Sequence, residues 1–204
     1  MSLLILLRHG QSTWNAENRF TGWVDTPLSD AGREEARLGG RRLAAQGVRV
    51  DRAFTSTLVR AIDTGRIVLD ELGQHDLEQR RAWQLNERFY GALTGRNKAQ
   101  TAEEFGSEQV HIWRRSYDIA PPGGESLADT ANRTLPYFNE VLLPATLEVA
   151  TVLVSAHGNS LRSIVKELDE LDDDAVTRLE IATGIPLVYE LDGDGKVVDK
   201  RIVE

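Results

Sequence analysis

The chain has 204 residues, no cysteine, a formal charge of −8 and 41% hydrophobic residues, which fits one folded domain spanning residues 1–204 and excludes disorder, disulfides and thiolate metal sites. An acidic balance without a clustered basic face argues against nucleic-acid binding, and no apolar run is long enough to cross a bilayer. Met1 to Leu7 lacks the basic flank and cleavage site of a signal peptide, so a cytoplasmic protein is expected.

Leu3 to Leu7 is a continuous apolar run, the pattern of a strand buried on both faces of a parallel sheet. It delivers Arg8, His9 and Gly10 to the strand's carboxyl end, where open α/β sheets bind ligands. Gln11 to Pro27 is rich in turn formers and reads as a loop folded over that end. Ser29 is the expected N-cap of a helix through Ala45, closed by Gly47. Val50 to Phe54 is a second strand, and Thr55-Ser56-Thr57 is read as capping the next helix, which carries Arg60 in its first turn and closes at Gly73. A cation at a helix N-terminus suits an anion site, although a solvated arginine is the plainer reading of Arg60 taken alone.

A third strand is expected over Leu77 to Trp83, leading into a glycine-bounded loop with Glu87, Arg88, Phe89 and Tyr90. Asn97 caps a helix that carries Lys98 and ends near Gly106, and a helix from Ser107 carries Arg114 and Arg115. Pro121-Pro122-Gly123-Gly124 is the strongest loop signal. Ser126 to Asp129 resembles a capping box opening a helix towards Leu143, in which Pro136 predicts a kink. Ala150 to Ser155 repeats the buried-strand pattern and runs into Ala156-His157-Gly158-Asn159. A helix from Ser160 to Leu168 follows, then one around Ala175 to Leu179. Pro186 to Leu191 and Val197 to Val203 form a hairpin around Asp192-Gly193-Asp194-Gly195. Strands alternating with helices predict an α/β fold with a mostly parallel central sheet, helices on both faces and a C-terminal hairpin.

Of the four histidines, only His9 and His157 follow buried-looking strands and precede glycine. Metal ligation lacks a third ligand at a typical spacing, and the neighbours Arg8, Arg60 and Arg162 are cations, which repel a metal and attract phosphate oxygens. No nucleotide-binding glycine loop is present. The residues therefore suggest phosphoryl transfer through a neutral His9, one ring nitrogen attacking phosphorus while the other donates to a backbone carbonyl. A carboxyl group must carry a proton, and among the 32 acidic residues Glu87 is preferred for its place in a polar and aromatic loop after a strand.

Leu7-Arg8-His9-Gly10 with Ser12, Trp14 and Asn15, Arg19-Phe20-Thr21-Gly22-Trp23, Leu85-Asn86-Glu87-Arg88 with Tyr90-Gly91, Trp113-Arg114-Arg115, and Ala156-His157-Gly158-Asn159-Ser160-Leu161-Arg162 together resemble the cofactor-dependent phosphoglycerate mutases of the histidine phosphatase superfamily. The resemblance spans nearly the whole chain and implies their three-layer fold. It implies interconversion of 3-phosphoglycerate and 2-phosphoglycerate in glycolysis and gluconeogenesis, with His9 phosphorylated by a 2,3-bisphosphoglycerate primer and no metal. Glu87 would give and take the proton, and Arg8, Arg60 and His157 would clamp the transferring group. Gly10, Gln11, Ser12, Asn15, Gly158 and Asn159 would lie around it. Thr21, Gly22, Arg88, Phe89, Tyr90, Lys98, Arg114 and Arg115 would hold the substrate's carboxylate and other phosphate.

Gln11 stands where the family usually has glutamate and Phe89 where it has histidine or tyrosine, changes expected to tune affinity. The segment between Arg115 and Glu125 is shorter than in the longer members, which touches any lid or oligomer contact there and leaves a homo-oligomer open. A phosphatase of the same superfamily is the main rival, since water can attack the same phosphohistidine; a non-catalytic phospho-ligand module ranks below it because His9 and Glu87 are both present.

Overall fold

The computed structural model describes residues 1–204. Its elements in chain order are β1 (Ser2–Arg8), α1 (Thr13–Ala16), α2 (Asp30–Ala45), β2 (Arg52–Thr55), α3 (Val59–Glu71), β3 (Gln79–Arg81), α4 (Lys98–Phe105), α5 (Ser107–Arg115), α6 (Leu127–Tyr137), α7 (Leu143–Leu147), β4 (Thr151–Ala156), α8 (Gly158–Leu168), α9 (Asp173–Arg178), β5 (Pro186–Leu191) and β6 (Val197–Ile202). One six-stranded sheet runs in the order β3-β2-β4-β1-β5-β6; β3, β2, β4 and β1 are mutually parallel, and β5 and β6 close the edge as an antiparallel hairpin.

The apolar run of β1 splits by parity, as a pleated strand must. Leu4 and Leu6 pack with Tyr137 of α6 and with Leu161 and Ile164 of α8 on one face. Ile5 and Leu7 pack with Leu43 of α2 and Val68 of α3 on the other. No helix is long and apolar enough to cross a membrane.

Several boundaries differ from the sequence reading. The loop after His9 contains the short helix α1, because Ser12 and Asn15 form a capping box with each other. The N-cap of α3 is Leu58, without a side-chain bond, and the expected caps are engaged elsewhere: the Thr57 hydroxyl donates to Asn86 and the Ser56 hydroxyl meets His157. The third strand shrinks to three residues, after which Trp83–Leu85 and Gly91–Leu93 turn as 3₁₀ helices. The helix from Ser126 ends at Tyr137 and widens into a π-helical turn over Phe138–Leu142 before α7. Pro136, where a kink is expected, lies inside the α-helical part, and the π-helical turn follows it, ahead of Pro144 at the start of α7. Helix α8 begins at Gly158, two residues earlier than expected, with His157 as its N-cap.

What places the site is the register of β1 on β4. Arg8 pairs with Ala156, and the His9 amide donates to the Ala156 carbonyl at 3.0 Å, so His9 and His157 leave the sheet side by side. Gly10 then passes beneath α2 so closely that a Cβ there would lie 2.1 Å from the Gly32 carbonyl oxygen; only glycine allows the approach.

Candidate active site

The rings of His9 and His157 lie 4.8 Å apart, centroid to centroid, at 62°. His9 Nδ1 is 2.6 Å from the Gly10 carbonyl oxygen, which makes it the protonated nitrogen and leaves a lone pair on Nε2. Arg60 Nε points at that nitrogen from 3.3 Å. The surface reading of Arg60 is overturned: the residue is 1% exposed, and its other nitrogens donate to the carbonyls of Gly22 (2.7 Å) and Val24 (3.0 Å). Burial pulls its pKa down to about 10, so it stays cationic at neutral pH. His157 Nε2 is 2.7 Å from the Ser56 hydroxyl, while its buried Nδ1 has no partner.

Burial, then Arg60, then Arg8 hold the His9 imidazole well below its ordinary value of 6.5, against a smaller opposite push from Gly10. His157 is lowered for the same first two reasons, with His9 and Arg8 adding. Below about pH 6.5 the unfolded chain therefore takes up protons that the folded chain refuses. Stability should be full above that pH and fall on acidification by about 1.4 kcal/mol per pH unit for each imidazole. Thermal unfolding between about pH 7 and pH 5 checks this, and the double variant His9→Asn/His157→Asn should flatten the slope. An undiminished slope would show that the two rings titrate like exposed histidines.

Glu87 is buried at the junction of the two halves of the cleft. Its Oε1 accepts from Asn159 Nδ2 (2.8 Å), Asn159 N (3.3 Å) and its neighbour Arg88 N (2.7 Å). Burial pushes its carboxyl up, but the bonds from Asn159 and Arg88 and the charges of Arg8 and Arg60 outweigh it, so the group is held low and ionised. Its loop is clamped by Arg133 of α6, which donates to the carbonyls of Gln84, Asn86 and Glu87 and grips Glu125 with two nitrogens, at 2.8 and 2.9 Å. Trp23 Nε1 also donates to the Glu87 carbonyl at 2.6 Å. Arg133→Met would strand a mostly buried Glu125 and three carbonyls; the expected cost is about 3–5 kcal/mol, lowering the melting temperature by roughly 10 °C. Calorimetry on the variant measures it, and a loss below about 1 kcal/mol would show the clamp to be idle.

The cleft has two lobes that share Arg8, Glu87, Tyr90 and Lys98. The inner lobe, about 70 Å³, adds His9, Asn15, Arg19, Thr21, Gly22 and Arg60. The outer lobe, about 150 Å³, adds Arg88, Arg114, Arg115, Gly158, Asn159, Arg162 and Glu180. Arg88 is buried against the Tyr90 ring, 4.9 Å from its centroid, with Nε and Nη1 unpartnered. Arg8 Nε and Thr21 Oγ1 are buried without partners as well. Unmet donors around a cationic cleft fit the oxygens of a phosphorylated ligand. No group of three or more histidine, aspartate or glutamate side chains forms a metal-sized cluster.

Some expected residues lie off this cleft. Gln11 turns towards α2, where its side-chain Oε1 accepts from the Ser29 hydroxyl at 2.9 Å and its backbone N–H donates to Glu35 at 2.8 Å. The Ser12 side chain is spent on capping α1. Phe89 meets Trp23 edge-on at the surface, with 5.8 Å between ring centroids, and the Gly10 amide donates to Thr64 at 3.1 Å. Conversely, Ser56, Arg133 and Glu180 were not singled out from the sequence. Ser56 has the local pattern of a cap, and nothing local distinguishes the other two among 24 basic and 32 acidic residues.

The chain is similar to known proteins over nearly its whole length. A profile of the histidine phosphatase superfamily (branch 1) matches residues 4–203. A protein of Parvibaculum lavamentivorans named 2,3-bisphosphoglycerate-dependent phosphoglycerate mutase is 56% identical over 99% of this chain and 96% of its own. One of Schizosaccharomyces pombe named phosphoglycerate mutase is 52% identical over 100% of this chain and 96% of its own. Among solved structures, a mycobacterial glucosyl-3-phosphoglycerate phosphatase complexed with VO3 aligns with a TM-score of 0.84 at 27% identity, covering 99% of this chain and 97% of that one. Bacillus stearothermophilus YhfR aligns at 0.83 and 28% identity, covering 97% and 94%. The match takes in both histidine-bearing strands and nearly every residue between and beyond them: the chain belongs to branch 1 of the histidine phosphatase superfamily.

Proposed function

We infer that the chain, as one catalytic domain acting in the cytoplasm, is a 2,3-bisphosphoglycerate-dependent phosphoglycerate mutase, interconverting 3-phosphoglycerate and 2-phosphoglycerate in glycolysis and gluconeogenesis. The observation that carries the reading is the pairing of a neutral His9, its Nε2 lone pair facing Arg60, with a buried carboxylate at the mouth of a second cationic lobe. Relatives above 50% identity bearing the mutase name support it.

When bound, 2,3-bisphosphoglycerate would supply the phosphoryl group that charges His9, and the unpartnered donors of Arg8, Thr21, Arg88 and His157 fit its oxygens. In the working cycle the accepting hydroxyl attacks phosphorus, the bond to His9 Nε2 breaks, and Glu87 takes the hydroxyl proton. Nε2 then attacks the other phosphate of the acid, and Glu87 returns the proton to the leaving oxygen. Arg60, Arg8 and His157 spread the charge on the transferring oxygens, so the reading uses no metal. Lys98, Arg114 and Arg115 hold the far end of the acid while Asn15 and Asn159 border the reacting end.

The solved phosphatases of the same fold make hydrolysis the second reading. A mutase must keep water from its phosphohistidine, and an outer lobe whose cations grip the far end of a small acid favours that outcome. The deciding assay compares isomerisation of 3-phosphoglycerate with phosphate release, with and without primer and with a chelator. Primed isomerisation that is indifferent to the chelator is expected; phosphate release dominating under primed conditions would make the enzyme a phosphatase.

A further inference from the structure

The outer lobe contains one acid the reaction does not use. Glu180 follows α9 and places its carboxylate among the cations of the lobe, 2.5 Å from Arg115 Nη2 and 3.7 Å from Arg162 Nη2. Its backbone neighbours are fixed by arginines of the same cleft: the Leu179 carbonyl accepts from Arg162 Nε at 2.7 Å and the Ile181 carbonyl from Arg8 Nη1 at 2.8 Å. The carboxylate is thus held over the lobe from both sides. Partial burial pushes its pKa up, but Arg115 and Arg162 outweigh this and keep it an anion.

We propose that Glu180 is a specificity-determining residue, a built-in anion that competes with the ligand for Arg115 and Arg162 and disfavours the bisphosphate more than the monophosphate. The proposal rests on the reading of the cleft as a phosphoglycerate site. Two physical effects act in one direction. A ligand group reaching Arg115 must displace a carboxylate already bound there, and the repulsion from that carboxylate grows with the charge the ligand carries. The bisphosphate, with one more phosphate, meets the larger penalty. Such a bias would keep the bisphosphate, which meets His9 only while His9 is unphosphorylated, from occupying the cleft at the expense of the monophosphates. Because the Glu180 side chain is 65% exposed, water and salt screen the effect, and a bias of about tenfold is its natural scale.

Binding is measured on the full chain in a His9→Asn background, which blocks transfer, with Glu180→Gln and Glu180→Asp added separately. Glutamine keeps the shape and an oxygen to accept from Arg115 while removing the charge. On Glu180→Gln, the Kd of 2,3-bisphosphoglycerate should fall about tenfold and that of 3-phosphoglycerate no more than about threefold, with the gap narrowing at high salt. Glu180→Asp should keep the discrimination of the parent to within about twofold. Equal factors for the two ligands, unchanged affinities or weaker binding would each overturn the proposal, the last by showing that Glu180 serves to hold Arg115 in place. A parent that binds neither ligand would instead overturn the functional reading itself, and with it this one.

Discussion

His9→Ala is expected to lower isomerisation by about 10⁴-fold or more and to abolish the phosphohistidine formed with 2,3-bisphosphoglycerate. The reason is geometric. His9 Nε2 is the lone pair left when Nδ1 is tied to the Gly10 carbonyl at 2.6 Å, and the ring is kept neutral by burial and by Arg60 and Arg8. His157 cannot take its place, because its Nε2 is engaged with Ser56 at 2.7 Å and its other nitrogen, Nδ1, serves as a donor to the transferring group, which leaves no lone pair to attack phosphorus. Folding should survive, since alanine relieves the burial of an ionisable ring and leaves the β1–β4 register intact. The check is labelled bisphosphoglycerate followed by acid and alkali: wild type should carry an acid-labile, alkali-stable adduct and the variant none. Wild-type labelling of His9→Ala would move the nucleophile to another residue.

The parts of this site that were legible in the sequence are those that short-range patterning encodes. The apolar runs ending in Arg8-His9-Gly10 and Ala156-His157-Gly158 announce two buried strands, and parallel pairing then brings the histidines together. Asn97 and Ser126 cap their helices as their spacing says. What stayed illegible depends on partners far along the chain. Arg60 is buried because carbonyls of Gly22 and Val24, from a loop more than thirty residues earlier, satisfy its guanidinium. Ser56 reads as a cap because capping and contact with His157 use the same hydroxyl chemistry, and only the fold selects between them. Gln11 sits beside the nucleophile in sequence, yet the tight turn at Gly10 sends its amide to Ser29. Arg133 and Glu180 acquire meaning only from the loops they hold, so no local pattern could mark them.

Glu87→Gln is expected to cut isomerisation by about 10²–10⁴-fold while leaving ligand affinity nearly unchanged. Glutamine is close in shape and can keep an oxygen towards Asn159, so the loop clamped by Arg133 should hold; what is lost is a base able to take the hydroxyl proton. Because Asn159, Arg88, Arg8 and Arg60 hold the carboxyl low against the push of burial, Glu87 stays ionised further into the acid than an ordinary glutamate, and the acid limb that it sets in the wild-type profile should be displaced in the same direction. Single-turnover transfer from phosphorylated enzyme to 3-phosphoglycerate isolates the step. A variant within about threefold of wild type would show that another group carries the proton. Of the residues lining the two lobes, only Glu87 and Glu180 bear carboxylates, and Glu180 is committed to Arg115 in the outer lobe. The pair Glu87→Gln and Glu87→Gln/Glu180→Gln therefore decides the matter: if Glu87 is the carrier, removing Glu180 as well should not deepen the loss of transfer rate.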